Sequence, residues 1–183
     1  MSLLAVQGGA GGTGTVTLLA PSTSTDRTLT LPDAAGTVAL QGGTGVGKVL
    51  QVVNATYSTS VSNSTGTYAD TGLTASITPT SASSKILVFV NQADIYKGTN
   101  DTSCRIQLQR NGALIVQFTL FAAGTGTTNL NINGSVGTTY LDSPATTSAV
   151  TYKTQFASSS SNAVVTAQFG NSTSTITLME IAA

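Results

Sequence analysis

The sequence predicts an all-β protein: a short N-terminal β arm over residues 1–47, intertwined with neighbouring copies, and an antiparallel, jelly-roll-like β-sandwich head over residues 48–183. Three observations predict this class. Short apolar segments with a two-residue period recur at even spacing, separated by Gly, Pro, Asn and Ser. No segment repeats its apolar residues at a helical period between recognisable caps. Thr and Ser number 33 and 21, together 54 of 183 residues, with 19 Gly. Thr fits a pleated strand through its branched Cβ, and Gly and Ser fit turns.

Within the arm, Gly8, Gly9, Gly11, Gly12 and Gly14 form one cluster and Gly42, Gly43, Gly45 and Gly47 another. Between them Val16-Thr17-Leu18, Leu29-Thr30-Leu31 and Val38-Ala39-Leu40 each alternate, punctuated by Pro21 and Pro32. The 47 residues hold 11 Leu and Val side chains, about one in four. A fully buried side chain of that size contributes about 1.5–3 kcal/mol, while ordering each backbone residue costs about 1–2 kcal/mol. The arm is therefore expected to order only by pairing its strands with those of other copies.

The head reads as strands at 49–53, 72–77, 86–96, 105–110, 113–120, 136–141, 150–156, 163–169 and 175–181. Asn111-Gly112, between the fourth and fifth, is the strongest hairpin signal, since both residues tolerate the positive φ of a type I′ turn. Residues 86–90, Ile-Leu-Val-Phe-Val, are apolar at every position and suit a strand covered on both faces. Tyr152, Phe156, Val164, Val165 and Phe169 complete the expected core, and the serine tracts at 81–84 and 158–161 read as loops. About 135 residues suffice for an independent core.

Composition excludes several chemistries. There is no His and only one Cys, so imidazole-based nucleophilic catalysis, a thiolate zinc site and an internal disulfide are all ruled out. Seven basic and seven acidic residues cancel, and Lys and Arg form no stripe of the kind a nucleic-acid binder needs. Charged residues make up 8%, against about 25% in ordinary domains. A surface so poor in charge favours self-association. No apolar run approaches the roughly 20 residues of a membrane span, and residues 1–10 lack a basic secretory n-region.

Gly42 to Lys48 nearly matches a phosphate-binding loop, but Val49 stands where Ser or Thr is needed and a strand pattern follows where a helix is needed. Asp94 and Asp101 flank an expected loop and suggest a cation or sugar site, although loop Asp residues commonly bond their own backbone. Asp142-Ser143-Pro144 reads as a turn, and Cys104, beside Arg105, as a small core residue. No catalytic, cofactor-binding or metal-binding residue is assigned, and the chain is expected not to be an enzyme.

Two stretches carry a resemblance. Gly14-Thr-Val-Thr-Leu-Leu-Ala-Pro21 and Arg27-Thr-Leu-Thr-Leu-Pro32-Asp-Ala-Ala-Gly36-Thr-Val-Ala-Leu40 are similar to a repeat of tailed-bacteriophage tail fibre proteins. The head resembles C-terminal domains of phage structural proteins through Asp70 to Thr74, Ile77 to Pro79, Ser84 to Val88, Tyr140 to Pro144, Thr151 to Lys153 and Ser174 to Ile181. The resemblance implies a short homotrimeric virion appendage, assembled in the host cytoplasm. Its N-terminal arm would attach to tail, baseplate or capsid proteins, with Leu3, Leu4 and Val6 as attachment residues. Its heads would touch a host surface glycan or protein through loops carrying Tyr96, Lys97, Asn100, Asp101, Thr125 and Thr127. Neither a cofactor, nucleic acid nor membrane insertion is implied. A capsid decoration protein and a glycan depolymerase are the alternatives.

Overall fold

The alternation along the head forms ten strands among the described residues: β1 Val49–Tyr57, β2 Val61–Asn63, β3 Ala69–Ile77, β4 Lys85–Lys97, β5 Thr102–Arg110, β6 Ala113–Thr125, β7 Ile132–Asp142, β8 Val150–Ser158, β9 Val165–Ala167 and β10 Ser174–Ile181. A single 3-10 turn, Phe169–Asn171, separates the last two. The structure is a computed structural model that describes residues 48–99, 101–125, 131–160 and 163–183. The arm, with Leu3, Leu4 and Val6, lies outside the described residues, as do Asn100 and Thr127.

All strand pairs are antiparallel and form two sheets. In the first, β10 lies between β1 and β4, and β7 pairs with the other edge of β4. β9 and β2 extend this sheet beside the end of β4, where Tyr96 and Lys97 pair with Thr166 and Val165. The second sheet runs β3–β8–β5–β6. The described residues are all-β, and their two sheets pack as a sandwich.

Asn111 and Gly112 close the β5–β6 hairpin at φ values of 49° and 84°, the doubly positive geometry expected of them. Asn111 also ties the turn to β8: its N–H donates to the Thr151 carbonyl at 2.8 Å, and its Oδ1 accepts from the Thr151 N–H at 2.8 Å.

Between the sheets lie two apolar clusters. Leu73, Ile86, Val88, Leu108, Tyr152 and Leu178 belong to the larger; Ile95, Cys104, Ile106, Phe156 and Val165 belong to the smaller. A hydrogen-bonded layer of fully buried polar side chains, Thr71, Gln92, Thr154, Gln168 and Ser174, also lies in the interior. Its hub is the Ser174 hydroxyl, which accepts from Gln92 Nε2 and the Ala93 N–H, both at 2.9 Å, and donates to the Gln168 carboxamide oxygen at 3.0 Å. Thr154 Oγ1 donates to Gln92 Oε1 at 2.9 Å, which carries the layer across to the second sheet.

Three core expectations are corrected. Ile86, Val88 and Val90 point inward, but Leu87 and Phe89 point outward, so 86–90 is not covered on both faces. Val164 is half-exposed because it precedes Val165, whose side chain takes the inward direction. Phe169 is 42% exposed, because the 3-10 turn carries it out of the sheet. The serine tract at 158–161 begins inside β8, where Ser158 is buried.

Entry to and exit from the sandwich occur at one end, where the Ala182 N–H donates to the Lys48 carbonyl at 2.9 Å. Two buried carboxylates brace that end. Asp142 of β7 accepts from Arg110 of β5 at 2.8 Å and from the Tyr152 hydroxyl of β8 at 2.6 Å, clamping the sheets together. Glu180 accepts from Gln51 Nε2 at 2.6 Å and from both the N–H and the hydroxyl of Thr80 at 2.7 Å. From this end β4 runs for 13 residues, about 43 Å at about 3.3 Å per residue. The C-terminal ends of β4, β6 and β8 therefore all lie at the far end.

Candidate functional site

Tyr96 is the penultimate residue of β4, at the far end. Its ring stacks on Phe169 with centroids 4.2 Å apart and planes 15° apart. Its hydroxyl donates to Asn131 Oδ1 at 3.0 Å, which joins the end of β4 to the residue leading into β7. Gly98 makes room for this: a Cβ there would lie 2.7 Å from the Tyr96 hydroxyl. Beside the stack, Thr166 and Ser62 share a hydrogen bond at 2.9 Å.

The other residues expected to face a receptor fall out differently. Lys97 is not in a loop; it is the last residue of β4, fully buried, and its Nζ donates to the Thr99 carbonyl at 2.8 Å. The two-residue period explains the correction, because Tyr96 faces outward and its neighbour must face inward. Asp101 is exposed at φ 48°, and its carbonyl accepts from the Ser160 hydroxyl at 2.9 Å. Thr125 ends β6, paired with Thr102. The far end thus gathers the ends of β4 and β6 and the starts of β5 and β7.

Four of the head's five carboxylates, those of Asp70, Asp94, Asp142 and Glu180, are engaged in structural bonds. Asp94, at a β4 bulge with φ 37°, accepts from the Ser172 hydroxyl. Asp70 accepts from Lys153 and Gln155; burial pushes its carboxyl up, and these two bonds outweigh that and hold it below the usual range. Cys104 is fully buried, and burial pushes its thiol up to about 12, so it stays protonated. Among the described residues no three Cys, Asp or Glu side chains group as metal ligands. Lys48, the last residue of the phosphate-loop-like run, leads directly into a strand. No helix of the described residues is long and apolar enough to cross a membrane.

The two outer faces of the sandwich contrast. On the second sheet, Gln107 Nε2 donates to Gln155 Oε1 at 2.9 Å, Gln155 donates to Asp70 at 2.7 Å, and Lys153 pairs with Asp70 at 2.8 Å: a satisfied polar ladder. On the first sheet, register aligns Val52, Met179, Leu87 and Leu141 in one row across β1, β10, β4 and β7. The next outward row is Asn54, Thr177, Phe89 and Thr139, and the next Thr56, Thr175, Asn91 and Gly137. Val52 is 54% exposed, Leu141 50% and Phe89 39%. An open groove of about 370 Å³ runs over Phe89, Asn91, Gly137, Thr139, Thr175 and Thr177.

No protein-family model and no curated protein matches the chain. Sequence reasoning missed this row and the exposed ring of Phe169. No one of the four strands reveals the row by itself; it emerges when residues 52, 87, 141 and 179 are brought into register.

Proposed function

We propose that this chain is a non-catalytic virion appendage protein of the tail-fibre kind. Residues 1–47 attach it to the particle, and a trimeric, jelly-roll head meets a glycan or protein of the host surface. The observation that carries this reading is the polarity of the head: its chain enters and leaves at one end, and the aromatic stack with its amide and hydroxyl neighbours lies at the other. A head mounted by its entry end presents Tyr96, Phe169, Asn131 and Asp101 outward. Flat aromatic rings beside amides and hydroxyls suit sugar rings and their hydroxyl groups.

The strand orders β1–β10–β4–β7 and β3–β8–β5–β6 support the jelly-roll reading. The structural bonds of Asp70, Asp94, Asp142 and Glu180 support a head without paired catalytic carboxylates.

Virions carrying Asn171→Cys test the placement, because Asn171 is exposed while the natural Cys104 is buried and unreactive. Maleimide-gold is expected at the tail or baseplate periphery, and competition by the isolated protein is expected to slow adsorption to host cells. Gold at capsid threefold positions, with adsorption unaffected, overturns host contact in favour of decoration.

A further inference from the structure

We propose that each head seats its β6 strand, through Leu120 and Phe121, on the outer face of the first sheet of the next copy, so that three heads close a ring. This rests on the trimeric reading above and names the two surfaces that build it.

Symmetry sets the requirement. A twofold contact uses one patch twice, but a closed threefold ring needs two different patches, each meeting the other on the neighbouring chain. The described residues offer two concentrations of exposed large apolar side chains on separate strands. One is the row across the first sheet, where Val52, Leu141 and the neighbouring Phe89 are exposed and Met179 and Leu87 lie half-buried between them. The other is on β6, the edge strand of the second sheet, where Phe121 is 77% exposed and Leu114 and Leu120 are also out. The outer face of the second sheet is not a competitor, because its charged and amide groups already satisfy one another.

Charge and size both fit. None of the twelve residues in the three outward rows of the first sheet is charged, so covering them buries no ion. The three rows take up about five residues of each of four strands about 4.8 Å apart; the full nine-residue face, roughly 19 by 30 Å, adds Lys85 at its entry-end rim. That is on the order of the 800 Å² per partner of a standard interface. The groove gives an aromatic knob a seat: Gly137 keeps it open, since a Cβ there would stand 3.0 Å from the Val90 carbonyl and rise into the cleft. An edge strand so covered is also withdrawn from unwanted strand pairing.

Cross-linking tests the contact on the full chain. In the double variant Leu87→Cys with Phe121→Cys, a short bismaleimide is expected to give covalent dimers and trimers, and neither single variant is expected to cross-link. Covalent dimers from Leu87→Cys alone mean a face-to-face twofold contact and overturn the proposal. A chain that is trimeric by native mass, but whose double variant stays uncross-linked, overturns this pair of surfaces and leaves the trimer standing. A natural chain that is monomeric at micromolar concentration removes the trimeric reading itself. As a second readout, Phe121→Glu and Leu87→Glu are each expected to raise the trimer dissociation constant at least tenfold, whereas Lys153→Ala on the polar sheet leaves it unchanged. Equal effects from all three contradict the assignment.

Discussion

Gly72 and Gly112 both adopt positive φ, 89° and 84°, for different reasons. Nothing lies within 4 Å of a Cβ built on Gly112, whereas one on Gly72 would stand 2.2 Å from the Tyr57 ring. Gly112→Ala is therefore expected to cost only the left-handed strain, about 1–2 kcal/mol. Gly72→Ala adds a steric clash and is expected to cost clearly more, with part of the excess recovered by Tyr57→Ala; urea denaturation of the variants and the double mutant measures both. Equal costs for the two glycine changes would contradict the packing at Tyr57. Gly112 was legible in the sequence because a type I′ turn is written in two adjacent residues. Glu180 was not, because its partners Gln51 and Thr80 lie 129 and 100 positions away. Burial pushes its carboxyl up, but the bonds from Gln51 and Thr80 prevail and hold it at about 2, against 4.5 when unfolded. A depressed carboxylate contributes stability above its unfolded value and loses it as pH falls through the folded one. Between about pH 4.5 and 2 the protein is expected to lose stability, and Glu180→Gln to flatten that loss while lowering stability at neutral pH. Asp70 leaves a smaller residual slope in Glu180→Gln. Denaturation midpoints across that pH range decide the matter, and an unchanged acid slope in the variant contradicts the role given to Glu180.

At the scale of elements, alternation made the strands readable and left their partners hidden. Nine segments of the head were expected as strands and all nine form them, with ends shifted by a few residues. β2 was missed because Val61–Asn63 carries one apolar residue and is held by pairing with β9, about a hundred residues on. The loop expected from Tyr96 onward begins later because β4 keeps pairing with β7 and β9 through Lys97. The buried polar layer was also invisible, since Gln92, Thr154, Gln168 and Ser174 read as surface residues when each is taken alone. Ser174→Ala withdraws the hub that Gln92, Ala93 and Gln168 share. Leaving those groups unpaired in the interior is expected to cost about 1–3 kcal/mol. Thermal or urea unfolding checks it, and a neutral substitution would mean the layer does not depend on its hub.

At the scale of the whole molecule, the sandwich separates three tasks. The entry end is braced by Asp142 and Glu180, the far end gathers the Tyr96–Phe169 stack, and the first sheet turns three rows of uncharged residues outward. Low charge in the sequence pointed to self-association. The face proposed for it emerges only when four strands from both ends of the head are set in register. This face and the β6 edge are the surfaces proposed to meet in a threefold assembly. Native mass spectrometry of the full chain at micromolar concentration tests it most directly. A species of three times the 18.4 kDa chain mass is predicted; a stable monomer, or a dimer as the largest species, would contradict it.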